Sequence, residues 1–519
     1  MPGLSRLPLT DRDEALFVQA SRQMLETGNW IDIHFQDEPR YKKPVGIYWL
    51  QGAAAELSGD GAEAPLWVYR LPSLIGALLT VLLTFLIAER LSGSTAGLIA
   101  GALAAMTVEL AFEARIGKTD AALCASIAAS QLAVAMIWTD PTRRQHFWRN
   151  ALFWTALGVG ILIKGPVAPM VIGLTLVSLM VMDRSLGILR ALSPLYGASW
   201  LLIIVLPWLI AIGWISGGAF FRDSVGKDML GKVGAGQEGH GALPGTHLLI
   251  AIGTFWPLSA FAPVAFVWGW RNRAEAVSRF AFAWGVPAWI VCELVATKLP
   301  NYVLPMMPAL AVLAGVALAQ AGLEGNRRLN RLWYFHIVTG ALLIGIGLNV
   351  LVYHVQGTLS PWGILLGSAV ILTAFLSWRF CCRDRLKAAM AALCLTGVIA
   401  YALAYAVLLP AADQLWLSDR IADAAKRDAK CASPQIVIVG YYEPSTVFRL
   451  GTNILRTDPE TGAQAFLKAT CAFAAVEERQ MADFQASLTT AGQQMSPIDT
   501  VQGRNINGFK LRIMRIFAK

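Results

Sequence analysis

Chemistry in this sequence concentrates where charge meets apolar runs. Residues 9–49 open on acidic Asp11, Asp13 and Glu14 and close on the basic, proline-marked group Tyr41, Lys42, Lys43 and Pro44. Further along, Glu113, Arg115, Lys118 and Asp120 crowd one short loop, Lys164 sits in a tight turn, and Lys298, Pro300, Asn301 and Tyr302 form another. Ionisable groups at a membrane boundary are costly to desolvate and mark function by default. Taken singly, Arg115 or Lys298 reads equally well as a side chain reaching to lipid headgroups. Collected on one face, these cations point to a shared anionic ligand. A further loop, 216–245, holds five glycines between Gly231 and Gly241 and reads as a lid that orders around something bound. His240 within it is a candidate base or metal ligand, although a lone histidine in such a loop is more often neither. No CxxC or HExxH spacing occurs, so no metal ligands are assigned.

The elements that position these residues follow from composition. Of 519 residues, 56% are hydrophobic and only 15% charged, with a mean hydropathy of +0.53. A soluble domain carries nearer a quarter charged residues, so the chain is a polytopic α-helical membrane protein. Its net charge of +9 does not indicate nucleic acid, because the basic residues lie in short loops between apolar runs. Between the two charged ends of the first stretch, Ala15, Val18 and Leu25 recur at helical spacing, with Gln19, Arg22, Gln23 and Glu26 opposite. That pattern predicts an amphipathic helix of about four turns lying along the bilayer surface.

Twelve stretches are long and apolar enough to read as spans, near residues 68–88, 94–112, 120–138, 151–163, 165–182, 196–215, 246–270, 279–296, 302–320, 332–354, 360–378 and 388–409. With residues 1–67 outside, the inner loops hold Arg90; Arg143, Arg144 and Arg149; Arg184 and Arg190; Arg271, Arg273 and Arg279; Arg327, Arg328 and Arg331; and Arg379, Arg383, Arg385 and Lys387. The short outer loops hold only Arg115, Lys118, Lys164 and Lys298. This alternation follows the positive-inside rule and puts every candidate site residue on the outer face. An N-terminal stretch of this kind needs a preceding apolar segment to be translocated, so a further span is expected ahead of Met1.

After Pro410 the composition becomes mixed. Residues 413–430 read as a helix, 436–440 and 471–476 as short strands, and 508–517 as a last strand, which predicts a small α/β domain over 411–519. It has no glycine-rich phosphate loop and reads as a cap or binding domain. Cys124, Cys292 and Cys394 fall in spans, and Cys381 and Cys382 on the inner side. Cys431 and Cys471 each precede a predicted strand, within reach of a disulfide if those strands are neighbours.

Four segments carry a resemblance. TDRDEALFVQASRQMLETGNW followed by YKKPVGIYWL, then EARIGKTDAAL, LGVGILIKGPVAP and ATKLPNYVLPMMPALA together resemble the GT-C glycosyltransferases that use polyprenyl-phosphate sugars. The similar branch contains the bacterial 4-amino-4-deoxy-arabinose lipid A transferases and the protein O-mannosyltransferases. The resemblance covers residues 9 to about 320 well and the tail loosely. It implies that Asp13, with Glu14 beside it, is the first-loop acidic position and Asp120 the second. It implies further that Lys43 contacts the carrier phosphate and that Lys298 and Tyr302 belong to a late KLPxY motif. Two features depart from the pattern: the usual first span is absent, and the glycine-rich EGHG lid replaces an aromatic-rich one, which leaves the sugar open.

The expected chemistry is transfer from an undecaprenyl-type phosphate to lipid A, lipopolysaccharide core, a protein hydroxyl or another envelope glycan. As the glycosidic bond breaks, the leaving phosphate gains charge, which fixed cations at Lys43, Arg115, Lys118 or Lys298 would stabilise without a metal. A divalent metal, if one takes part, would sit at the outer loops. Asp13 is the expected base for an acceptor hydroxyl, giving inversion in one displacement. The enzyme is expected as a monomer in a bacterial inner membrane, bound to membrane lipids, with its site and C-terminal domain facing the periplasm. A polyprenyl-linked sugar transporter is the competing reading from another class. It predicts charged or broken helices at mid-membrane, whereas these charges cluster at one face.

Overall fold

The computed structural model describes residues 1–140, 146–231, 241–323, 327–505 and 509–519. Each of the twelve apolar stretches falls on helix. Among the described residues eight helices are long and apolar enough to cross a membrane: Leu66–Ser92, Asp120–Thr139, Pro194–Ile215, Ala276–Leu294, Pro300–Ala321, Arg331–Gln356, Pro361–Cys381 and Leu386–Ala411. A ninth is counted if Thr246–Thr254 and Leu258–Arg271, bent by 110° at their junction, make one span. The 94–112 stretch divides into a twelve-residue helix, Ser94–Ala105, and a short one, Val108–Glu113. The Val108 amide leaves the helical ladder there and donates to the carbonyl of Trp256 at 2.9 Å. Lys164, Gly165 and Pro166 separate His146–Lys164 from the seventeen-residue helix Val167–Asp183.

The first loop folds into the expected helix, Arg12–Thr27, capped at its start by Asp11, whose carboxylate accepts the Asp13 amide. It continues through a two-residue hairpin, β1 (His34–Phe35) and β2 (Glu38–Pro39), to helix Gly46–Ser58. The polar side of Arg12–Thr27 does not face water along a bilayer, as its pattern predicts. Gln19 donates to the Thr452 hydroxyl at 2.8 Å, and Arg22 donates to the Phe448 carbonyl at 2.7 Å with its guanidinium 4.1 Å from the Phe448 ring. Glu26 accepts from the Thr452 hydroxyl at 2.7 Å, and Gln23 exchanges two hydrogen bonds with the Gln36 backbone. The helix is thus clamped between the membrane bundle and the C-terminal region.

That region is a five-stranded mixed sheet in the order β4 (Leu455–Thr457), β3 (Gln435–Val439), β5 (Ala472–Glu477), β7 (Leu511–Ala518), β6 (Asp499–Arg504). β3 runs parallel to β4 and β5, while β7 is antiparallel to both its neighbours. Every residue of the central β5 is buried because both faces are covered. Phe473 and Ala475 pack with Leu417 and Ile421 of helix Leu417–Asp428. Ala472, Ala474 and Val476 pack with Phe466 and Phe484 of helices Pro459–Lys468 and Met481–Thr490. Cys431 and Cys471, just ahead of the parallel pair β3 and β5, form a disulfide with Cα atoms 6.5 Å apart.

Candidate functional site

The frame of the outer face is a buried ion pair. Glu14 and Arg70 both have fully buried side chains, and the guanidinium donates to the two carboxylate oxygens at 2.7 and 3.1 Å. Arg70 also donates to the carbonyls of Leu4, Leu7 and Pro8. Glu14 accepts in addition from the amide of Gly117 at 2.8 Å and that of Thr10 at 3.2 Å. Gly117 is needed at this contact, because a Cβ there would lie 2.7 Å from Val18 Cγ1. The Gly117 carbonyl accepts from Gln51, which in turn accepts from Ser21. One carboxylate therefore joins the first loop, the start of helix Leu66–Ser92 and the 113–120 loop. Glu14, expected from the sequence as a catalytic acid, has both oxygens occupied in holding this scaffold.

Around the frame stand the groups with chemistry to offer. Asp13, one residue away, is exposed, and among the described residues its carboxylate has no hydrogen-bond or ion-pair partner. Lys118 reaches Asp11 at 2.9 Å and Glu113 at 3.4 Å. Burial works against its ammonium, but Glu113, Asp11 and Asp120 outweigh it and hold its pKa well above the usual lysine range. Glu113 is pushed well above the carboxylate range chiefly by burial, against the pull of Lys118 and with the charges of Asp120, Glu109 and Asp11 adding to the rise. Asp120, at the start of helix Asp120–Thr139, pairs with Lys164 at 2.5 Å, and the Lys164 ammonium lies 5.7 Å from the centre of the Tyr302 ring. Lys43 pairs with Asp228 at 2.5 Å. The chain just after Lys43 presses against the Lys164 end of helix His146–Lys164, since a Cβ on Gly46 would meet the Leu162 carbonyl at 2.7 Å. The KKPVG and IKGP motifs are thereby neighbours.

Other candidates are turned elsewhere. Arg115 is buried, donates to the carbonyls of Pro2 and Ala111, and lies 4.3 Å from the Tyr405 ring and 5.4 Å from that of Tyr401. Lys298 donates to the carbonyls of Glu293 (2.8 Å), Cys292 (3.4 Å) and Val295. It closes the C-terminal turn of helix Ala276–Leu294, where four carbonyls lack helical partners. Both cations are engaged by nearby backbone oxygens, and Arg115 by two rings as well, where the sequence expects a phosphate. Tyr302 stays beside Lys164 and has its ring 6.2 Å from that of His247. His240, with residues 232–240 of the proposed lid, lies outside the described residues.

Arg70, Asp228 and His247 were not legible as site or frame residues. Arg70 and Asp228 lie far in sequence from the groups they pair with, and His247 is hidden in an apolar run. The one available signal for Asp228 was an acid in a polar loop on the same face as Lys43. His247 packs between the Leu299 carbonyl and Glu293, whose carboxylate accepts the Gly245 and Leu248 amides and so caps helix Thr246–Thr254. Among the described residues no group of three or more His, Cys, Asp or Glu side chains is arranged to hold a metal ion.

Residues 42–211 match the family described as dolichyl-phosphate-mannose-protein mannosyltransferase. The undecaprenyl phosphate-alpha-4-amino-4-deoxy-L-arabinose arabinosyl transferase 2 of Pseudomonas fluorescens is 27% identical over 386 residues, covering 72% of this chain and 64% of the relative. The corresponding Yersinia pestis protein is 23% identical over 396 residues, covering 73% of this chain and 69% of its own length. The chain thus spans just under two thirds of the length of the first relative. ArnT from Cupriavidus metallidurans, in a crystal structure bound to undecaprenyl phosphate, superimposes with a TM-score of 0.78 at 19% identity, covering 99% of this chain and 95% of that one. In its apo state the TM-score is 0.75. The chain is a multi-pass membrane protein with the ArnT-like fold, similar in sequence to glycosyltransferases named for polyprenyl-phosphate-linked sugars.

Proposed function

We propose that this protein moves a sugar from an undecaprenyl-type phosphate to an acceptor of the bacterial cell envelope, on the periplasmic face of the inner membrane. The observation that carries this reading is the state of five acids at the outer loops. Asp11, Glu14, Glu113 and Asp120 are each engaged by Arg70, Lys118 or Lys164, whereas Asp13 stands exposed and, among the described residues, unpartnered. A carboxylate kept open beside a set of fixed cations suits a base facing an anionic donor.

In this reading Lys43 takes the carrier phosphate, exchanging the Asp228 carboxylate for it, and stabilises the charge that builds on the departing oxygen. Asp13 accepts the proton of an acceptor hydroxyl as it attacks the anomeric carbon from the opposite side, giving inversion. A hydroxyl on lipid A, on core sugar or on a protein needs that base. A phosphate acceptor does not, and Asp13 would then orient it. Lys164 with Asp120, and Lys118 with Asp11, are held as ion pairs that fix the outer loops around the site.

Protein purified from its own membranes tests the reading by lipid extraction and native mass spectrometry. We expect bound polyprenyl phosphate in the wild type, its loss in Lys43→Ala, and its retention without sugar transfer in Asp13→Asn. Folded wild type with no carrier would refute the donor, and wild-type turnover in Asp13→Asn would remove Asp13 from the chemistry.

A further inference from the structure

Helices Val167–Asp183 and Ala276–Leu294 each have one end in the outer cluster, the first following Lys164 and the second running into Lys298. Their other ends meet on the far side of the bundle, where Arg279 pairs with Asp183 and the Trp138 indole donates to the same carboxylate at 2.7 Å. Between these helices and Leu258–Arg271 opens a groove of about 890 Å³ walled by Met182, Phe266, Trp270, Phe282 and Val286. Phe266 and Phe282 stack across it with ring centres 6.2 Å apart. From Arg279 to Pro287 the wall runs eight residues, a trough of about 12 Å along the helix.

The mouth of this trough is cationic. Arg279 is already neutralised by Asp183, but Arg271 makes no hydrogen bond or ion pair among the described residues. Among the described residues Arg273 donates only to the Trp270 carbonyl, at 3.2 Å, and sits 5.7 Å from the Trp270 ring. Glu275, in the same turn, pairs with neither among the described residues. Trp270 itself is 68% exposed among the described residues, an apolar surface at the mouth of the trough. Two guanidiniums with no carboxylate partner among the described residues, over an apolar trough on the lipid-facing side of a membrane bundle, match one class of ligand: a net negative phosphate with acyl chains attached.

We propose that this groove binds an anionic phospholipid of the inner-face leaflet, with its phosphate at Arg271 and Arg273 and one acyl chain along Phe266, Phe282 and Val286. A zwitterionic lipid brings its own cation to the arginines and fits less well. The site is separate from the outer cluster, and it stands whether or not the proposed transfer is correct.

The test uses the full chain in nanodiscs of mixed phosphatidylglycerol and phosphatidylethanolamine, with retained lipid read by native mass spectrometry. Arg271→Ala/Arg273→Ala is compared with Arg271→Lys/Arg273→Lys and with Arg383→Ala/Arg385→Ala, which removes two exposed cations from another inner loop. Each basic residue near an anionic lipid surface is worth about fivefold in affinity, so the alanine pair should weaken phosphatidylglycerol retention about thirtyfold. The lysine pair should retain most of it, and the control pair all of it. Equal loss in the control pair, no loss in the alanine pair, or equal retention of phosphatidylethanolamine by the wild type would each overturn the proposal.

Discussion

Asp13 and Glu14 are adjacent carboxylates for which the structure demands opposite consequences. Glu14→Gln keeps the shape of the side chain and removes its charge, leaving the Arg70 guanidinium fully buried without a counter-ion. Breaking a buried ion pair on one side costs about 3–5 kcal/mol, because the remaining charge has lost its compensation and cannot reach water. The Gly117 and Thr10 amides donate to different oxygens of Glu14, so the single carbonyl of glutamine keeps one of these bonds and turns an NH2 donor toward the other, which adds to the loss at Arg70. Asp13→Asn alters an exposed group and should change stability by under about 0.5 kcal/mol. Thermal unfolding of purified protein in detergent, read beside sugar transfer in the same preparations, separates the two. Glu14→Gln should melt several degrees lower, and Arg70→Met introduced with it should recover part of the loss. Asp13→Asn should melt as the wild type does and transfer no sugar. An unchanged melting temperature in Glu14→Gln would refute the argument and return Glu14 to the chemistry.

Lys298→Ala should lower stability by about 1–2 kcal/mol, because it strips a buried cation from a helix C-terminus, while leaving carrier affinity unchanged. Carrier titration beside a melting curve distinguishes this from a phosphate ligand. Replacing Cys431 and Cys471 by serine opens a crosslink 40 residues apart in sequence. The chain-entropy estimate for that loop is about 4 kcal/mol, and limited proteolysis should detect loosening of the sheet region before the bundle. Glu113 gives a pH prediction. Its folded-state pKa lies well above the unfolded value, so its contribution is complete below the ordinary carboxylate pKa and is lost as pH rises through the raised one. Glu113→Gln, neutral throughout, should flatten the fall in melting temperature between mildly acidic and alkaline pH; an unaltered profile would mean that Glu113 does not hold a proton.

The sequence made the bundle and much of the tail legible, because long apolar runs and the alternation of arginine-rich loops are one-dimensional signals. β3, β5 and β7 were readable from their buried runs, whereas the three-residue β4 and the polar, glycine-containing β6 offered no such pattern. In the site, residue type was legible and partnership was not. Asp13 and Glu14 differ mainly by about 100° of rotation on one helix, which sends one toward Arg70 and leaves the other in solvent. Arg115 and Lys298 looked like ligand cations because their partners are backbone carbonyls and, for Arg115, two tyrosine rings, which no charge pattern displays. Lys298 did carry a hint, since it follows the end of an apolar helix by a few residues, where a lysine commonly turns back on the last carbonyls. The amphipathic helix was read correctly as a helix and wrongly as a surface element, because a polar face shows that it has polar company without saying whether that company is water or protein.

That company constrains how the protein can be rebuilt. Gln19, Arg22, Glu26 and Gln36 are fastened to Phe448, Thr452 and Ile454, more than 400 residues further along the chain. The helix whose first turn carries Asp13 therefore takes its bearing partly from the far end of the polypeptide. A hybrid that grafts another homologue's tail onto this bundle would change the angle of that helix along with the tail. Exchange of residues 411–519 should preserve turnover only when residues 12–36 travel with them, so that the two segments behave as one transplantable module despite their separation in the gene.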